Sequence, residues 1–187
     1  VILKDTGYIG SWGETSLLPG SVEAIKRLNY SGFLVIVVTN QSGVARGYFT
    51  EADVETVNEQ LKKELSLKGA RVDAIFYCPH HVEGQVREYR LDCNCRKPKP
   101  GLILEAASRF GIDISRSFMV GDKLEDIEAG ERAGCRTILI QGAESREQRA
   151  GRAKADKVAS SLKRAVDWIL KQLEVESWKG DSEEGKS

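Results

Sequence analysis

The stretch FLVIVVTNQSG, residues 33–43, sets the fold class. Phe33 to Val38 is an unbroken run of apolar residues, several of them β-branched. A strand with one wet face alternates apolar and polar side chains, whereas a strand covered on both faces need not, and double coverage belongs to parallel sheets flanked by helices. The run stops at Thr39, Asn40, Gln41 and Ser42, all polar, before Gly43. These residues therefore predict a strand of a parallel sheet whose carboxyl end opens into a polar turn. Thr39 and Asn40 offer a hydroxyl, an amide and backbone N–H groups to an anion there, although a strand-ending Thr-Asn serves equally well as a hydrogen-bonded turn.

The pattern repeats along the chain. Val72 to Tyr77 supplies a second buried strand ending at Cys78, Phe118 to Val120 a third closing on Gly121 and Asp122, Thr137 to Ile140 a fourth, and Ala155 to Ala159 an edge strand. Between them lie segments of helical spacing. Ser21 is read as the cap of a helix carrying Val22, Ile25 and Leu28, and Thr50 as the cap of one running to Leu67. Further helices are expected from about Leu102 to Phe110, from Leu124 to Ala133, and from Ser161 to Leu173. Alternating strands and helices give an α/β fold, a three-layer Rossmann-like parallel sheet with right-handed crossovers. Ligands of such sheets bind beyond the carboxyl ends of the strands, so Thr39–Ser42, the loop after Cys78, and Gly121–Lys123 are expected on one rim. Residues 1–173 read as a single domain, and the polar chain from Glu174 to Ser187 as a disordered tail.

The loop after Cys78, CPHHVEGQVREYRLDCNCRK at 78–97, holds three of the four cysteines. Cys78, His80, Cys93 and Cys95 form a Cys-x-His pair and a Cys-x-Cys pair. Zinc takes four such ligands tetrahedrally, and a site filled by protein alone is structural rather than catalytic. A Cys93–Cys95 disulfide would be badly strained. Spacing leaves His80 and His81 both open as the imidazole ligand. Arg96 and Lys97 leave this loop as cations suited to phosphate oxygens. Asp122 and Asp126 bracket Lys123, and carboxylates at a strand end are hard ligands of the kind magnesium takes beside a phosphate. Together the three strand ends predict a phosphate pocket with a divalent cation.

Lys plus Arg and Asp plus Glu number 28 each. No global field draws the chain to nucleic acid or to a membrane, and neither partner is expected. A thiolate-rich loop calls for a reducing compartment, so a cytoplasmic protein is expected, and Cys135 reads as an inert core thiol.

These residues resemble the haloacid dehalogenase superfamily of phosphohydrolases. TNQSG at 39–43 is similar to its second motif, Lys97 in CRKPKPG to its third, and GDKLED at 121–126 to its fourth. The resemblance is to the zinc-containing branch, and there to the heptose-bisphosphate phosphatases more than to the histidinol-phosphate phosphatases. Ser42, the VARG run and Lys123 favour the former. The resemblance implies a haloacid-dehalogenase-type sheet and action on a small sugar phosphate with Mg2+ and Zn2+, and a monomer is expected. It implies that Asp122 binds magnesium with Asp126 behind it, that Thr39, Asn40 and Lys97 hold the transferring phosphoryl group, and that Arg96 and Lys123 contact the sugar phosphate with Gln41 and Ser42 nearby. Asp5, Thr6, Gly7 and Tyr8 match the segment lining the sugar, and Cys78, His80, Cys93 and Cys95 match the zinc ligands. The family catalyses with an Asp-x-Asp motif ending its first strand, and by alignment Val1 falls on the last residue of that motif. Nucleophile, acid and the central strand bearing them are thus expected to precede Val1, leaving a gap between the strands at Phe33 and Phe118. A chain that kept the pocket and lost the nucleophile, or a zinc-organised interaction module, is the competing reading.

Overall fold

A computed structural model describes residues 1–4, 7–141 and 155–183, the stretch 174–183 as backbone only. In chain order the elements are α1 (Ser21–Tyr30), β1 (Ile36–Asn40), α2 (Glu51–Leu67), β2 (Ala74–Cys78), α3 (Gly101–Phe110), β3 (Phe118–Gly121), α4 (Leu124–Ala133), β4 (Arg136–Ile140), β5 (Lys157–Ala159) and α5 (Leu162–Glu183). Every strand and helix expected from the sequence is present, with shifted ends.

The shifts have local causes. β1 starts at Ile36 rather than Phe33 because Phe33 finishes α1: Gly32 takes a left-handed φ of 80° and the Phe33 N–H donates to the Leu28 carbonyl at 3.0 Å, the bond that closes a Schellman turn. The Phe33 ring then packs edge-on against Phe118 at 6.2 Å. Ser21 is the first residue of α1 and not its cap. Gly20 holds that position, and Ser21 Oγ donates to the Leu18 carbonyl at 2.8 Å. Thr50 does cap α2: the Asp53 N–H donates to Thr50 Oγ1 at 3.2 Å and the Thr50 N–H to Asp53 Oδ2 at 2.7 Å, a reciprocal capping box. α5 continues past the expected end at Leu173 to Glu183. Glycine first interrupts that sequence at Gly180, so composition does not stop the helix earlier. Residues 184–187 lie outside the described residues.

β1 pairs in parallel with β2, from Ile36 opposite Ala74 to Asn40 opposite Cys78. β3, β4 and β5 form a second parallel sheet in that order. Alternate strand residues face opposite layers. Val37 and Ile75 pack towards Ile25 of α1 and Leu61 and Leu65 of α2. Ile36, Val38 and Phe76 face Leu102 and Ala106 of α3. α5 covers the second sheet through Ala165 and Ile169 against Ile138. Among the described residues no ladder joins β1 to β3, and the expected gap between them is present. Their facing edges border a cleft of about 700 Å³ lined by Ile36 and Val38 on one side and Phe118 and Val120 on the other. The ends of β1 and β3, with Lys97 from the loop after β2, line its polar part through Thr39, Asn40, Lys97, Asp122 and Asp126. No helix among the described residues is long and apolar enough to cross a membrane.

Candidate active site

The metal loop closes on itself as four converging ligand atoms. Cys78 Sγ lies 3.4 Å from Cys93 Sγ and 3.7 Å from His80 Nδ1, Cys95 Sγ lies 3.4 Å from His80 Nδ1 and 3.2 Å from Cys93 Sγ. All four atoms fall within 4.8 Å of one another. Zinc–sulfur bonds of about 2.3 Å in a tetrahedron put ligand atoms about 3.8 Å apart, so the donor set fits zinc in number, chemistry and spacing. The cysteines are free thiols, without a disulfide. His81 is turned away from the cluster: its Nδ1 accepts from the Glu83 N–H at 3.1 Å and its Nε2 faces Arg46. The geometry therefore selects His80. Burial pushes the Cys78 and Cys95 thiols up. The Cys93 thiol goes down in spite of burial, through hydrogen bonds from Cys95 and Cys78. A divalent cation is the partner that lets all three carry charge together.

One equivalent of zinc per chain is accordingly expected in protein purified without added metal, and its loss in a Cys93→Ala, Cys95→Ala double variant. Elemental analysis checks this. Less than half an equivalent in wild type, or full occupancy in the double variant, would contradict the assignment.

Two phenols tie the loop and the strand before it to α2. Tyr77 and Tyr89 both donate to the carboxylate of Glu51, the first residue of α2, each at 2.8 Å. The Glu51 hydrogen bond pushes the Tyr89 phenol up to about 12, and burial followed by Glu51 raises that of Tyr77 further. Both therefore remain donors at neutral pH. Sequence reading missed Glu51, because an acid in the first turn of a helix already has a local explanation in the helix dipole.

Lys97 emerges from the loop into the cleft. Asn40 holds its backbone: Asn40 Nδ2 donates to the Lys97 carbonyl and the Lys97 N–H donates to Asn40 Oδ1, both at 3.1 Å. The Asn40 side chain thus positions Lys97 rather than pointing freely at a ligand. Lys97 Nζ donates to the Val38 carbonyl at 2.8 Å and pairs with Asp126 Oδ1 at 2.6 Å, with the two side chains only 10% and 7% exposed. An ammonium has three donors, so one remains for a ligand oxygen. Asp126 Oδ2 accepts from the Lys123 N–H at 3.1 Å. Asp126 is therefore committed to holding Lys97 and the start of α4.

Two glycines permit this packing. A Cβ on Gly101 would stand 2.3 Å from the Asn94 carbonyl oxygen, where the loop crosses the start of α3, and one on Gly121 would stand 2.2 Å from Asp126 Cβ. Overpacking at such contacts costs about 1–3 kcal/mol. Gly121→Ala is expected to lower the thermal midpoint by several degrees and to disturb the Lys97–Asp126 pair. An unchanged midpoint in a melting curve would contradict the packing described.

Asp122, at the end of β3, keeps its carboxylate 41% exposed, with Oδ2 3.4 Å from the Val1 amine. It is a hard oxygen ligand facing the cleft and fits magnesium, which takes one or two carboxylates and fills its remaining positions with water and phosphate. Gln41 Nε2 approaches Thr39 Oγ1 at 3.5 Å. Gly7, Gln41 and Lys123 also line the cleft. Arg96 Nη1 donates to the His80 carbonyl at 3.3 Å, and Ser42 accepts the Arg46 N–H through its carbonyl at 3.0 Å, so both sit on the loops bordering the cleft. Tyr8 stacks edge-on against Tyr48 with ring centroids 4.8 Å apart, both rings about half exposed. Asp5 and Thr6 lie outside the described residues.

The chain is similar to known proteins. The sequence model of a family described as HAD-hydrolase-like matches residues 94–165. The chain is 40% identical over 169 residues to D-glycero-beta-D-manno-heptose-1,7-bisphosphate 7-phosphatase of Escherichia coli (strain K12), covering 90% of this chain and 83% of that protein. It is 46% identical over 138 residues to the Pasteurella multocida (strain Pm70) enzyme of the same name, covering 73% and 74%. Among solved structures it is similar to the D,D-heptose 1,7-bisphosphate phosphatase of B. bronchiseptica complexed with magnesium and phosphate, with a TM-score of 0.80, 34% identity, and coverage of 92% of this chain and 94% of that one. The rim of Thr39, Lys97 and Asp122, the four-ligand metal loop and these matches place the chain in the D-glycero-beta-D-manno-heptose-1,7-bisphosphate 7-phosphatase family of haloacid dehalogenase-like phosphatases.

Proposed function

We propose that this protein hydrolyses the 7-phosphate ester of D-glycero-D-manno-heptose 1,7-bisphosphate. The observation that carries the reading is the convergence of Thr39, Lys97 and Asp122 on one cleft mouth, in a chain similar to enzymes of that name. Lys97, buried and held by Asn40 and Asp126, aims its remaining donor at a phosphoryl oxygen. Fixed donors of this kind lower the barrier because they are oriented before charge develops. The Thr39 hydroxyl is a second contact. Magnesium, held by Asp122, would neutralise phosphate charge and orient the ester. The metal loop keeps Arg96 and Lys97 in place and does no chemistry itself.

Phosphoryl transfer through an aspartyl phosphate also needs a nucleophile and an acid. The 187 residues contain no Asp-x-Asp, and in this proposal such a pair enters the cleft between β1 and β3. The substrate is a small sugar phosphate, and the protein works as a cytoplasmic monomer without nucleic-acid or membrane partners. The test compares the 187 residues alone with a form carrying an Asp-x-Asp strand ahead of Val1. Both should bind phosphate with magnesium, and only the second should release it from the heptose bisphosphate. Magnesium-dependent release by the 187 residues alone, unaffected by Asp122→Asn, would overturn the mechanism.

A further inference from the structure

The hydrogen bonds of the Glu51 carboxylate lie outside its own helix. Asp53, not Glu51, completes the capping box with Thr50, and among the described residues no Lys or Arg pairs with Glu51. Its two oxygens are divided between two phenols: Oε2 accepts from Tyr77 and Oε1 from Tyr89, each at 2.8 Å. Both phenols adjoin the metal ligands. Tyr77 directly precedes Cys78 at the end of β2, and the Tyr89 ring lies against that of His80 with centroids 6.1 Å apart. The Tyr89 carbonyl also accepts the His81 N–H at 3.1 Å, so the loop crosses itself there.

The four ligands come in two halves, Cys78 with His80 and Cys93 with Cys95, and residues 81–92 run between them. Closing that stretch on a metal costs chain entropy, and a fixed point within it reduces the share that metal binding has to offset. Tyr89 is such a point, and Glu51 is what fixes it. Hydrogen bonds to a charged acceptor are stronger than those between neutral groups, and the N-terminus of α2 favours the negative charge. We propose that Glu51 is a positioning residue for the metal loop: it draws Tyr77 and Tyr89 onto one carboxylate, holds the two halves of the ligand set close to their bound geometry, and thereby controls how long the loop retains zinc. It acts through the two phenols and touches neither metal nor substrate. The role rests on zinc in the loop and is independent of which ester the protein cleaves.

The experiment follows zinc release from the zinc-loaded 187-residue protein into an excess of the chromogenic chelator pyridylazoresorcinol. Glu51→Gln keeps one carbonyl acceptor and loses the other with the charge, and release is expected about tenfold faster than from wild type, the scale of removing a partner that orients metal ligands. Tyr89→Phe alone should speed release about threefold or more. Tyr77→Phe with Tyr89→Phe should match Glu51→Gln, and adding Glu51→Gln to that pair should change the rate by less than about twofold, because carboxylate and phenols act as one unit. Val54→Ala opens a cavity on the buried face of the same helix; it should lower the melting midpoint while speeding release by less than about twofold. Unchanged release from Glu51→Gln overturns the role. Faster release from Glu51→Gln but not from the phenylalanine pair overturns it as well, because Glu51 then acts by a route other than the phenols. So does release from Val54→Ala as fast as from Glu51→Gln, which makes retention a matter of helix stability alone. Where Glu51→Gln fails to fold, the phenylalanine pair decides by the same comparison with wild type and Val54→Ala. Wild type that carries no zinc overturns the metal assignment and this role together.

Discussion

Lys97→Ala is expected to cut turnover of heptose 1,7-bisphosphate by about a hundredfold or more in the form carrying an Asp-x-Asp strand, the range for removing one preorganised donor from developing charge. It should also destabilise the fold. Lys97 and Asp126 are an ion pair with side chains 10% and 7% exposed. Removing one partner strands the other charge, at a cost of about 3–5 kcal/mol. A double variant, Lys97→Met with Asp126→Asn, separates the two effects. It removes both charges while keeping an acceptor for the Lys123 N–H, so the melting midpoint should recover most of its loss while turnover stays low. Turnover that recovered along with the midpoint would show that Lys97 acts only through packing.

Asp122→Asn is expected to raise the magnesium needed for half-maximal rate by at least about tenfold. The change replaces the carboxylate facing the cleft from β3 with a neutral amide, and magnesium held by few protein ligands loses much when one loses its charge. Because Asp122 is 41% exposed, its removal strands no buried partner, and the melting midpoint should hardly move. A magnesium titration of the rate checks this. A normal magnesium requirement would remove Asp122 as the ligand, and a large drop in midpoint would point to a structural role.

Strand positions and the metal ligands were legible in the sequence because each follows from a local rule. A doubly covered strand has to be apolar throughout, as Ala74 to Tyr77 and Phe118 to Val120 are, and thiolates at Cys93 and Cys95 have few uses besides a metal. Interactions between distant segments were not legible. Asn40 at the end of β1 reads as an anion ligand, yet its amide is occupied by the backbone of Lys97, 57 residues away. Glu51 receives two phenols from residues 26 and 38 positions along the chain, and nothing in its neighbourhood signals that. Phe33 reads as strand because it is apolar, while the turn at Gly32 makes it the closing residue of α1. His80 and His81 could not be separated by spacing, since only the fold shows which imidazole turns inward.

The assignment of a 7-phosphatase site to this cleft is tested most directly by following heptose 1,7-bisphosphate with phosphorus NMR, using the form that carries an Asp-x-Asp strand, with magnesium. Loss of the C7 phosphate resonance and growth of inorganic phosphate are expected while the C1 phosphate resonance persists, with the loss slowed about a hundredfold or more when Lys97 is alanine. Loss of the C1 phosphate first, or release at the same rate from the Lys97→Ala protein, would contradict it.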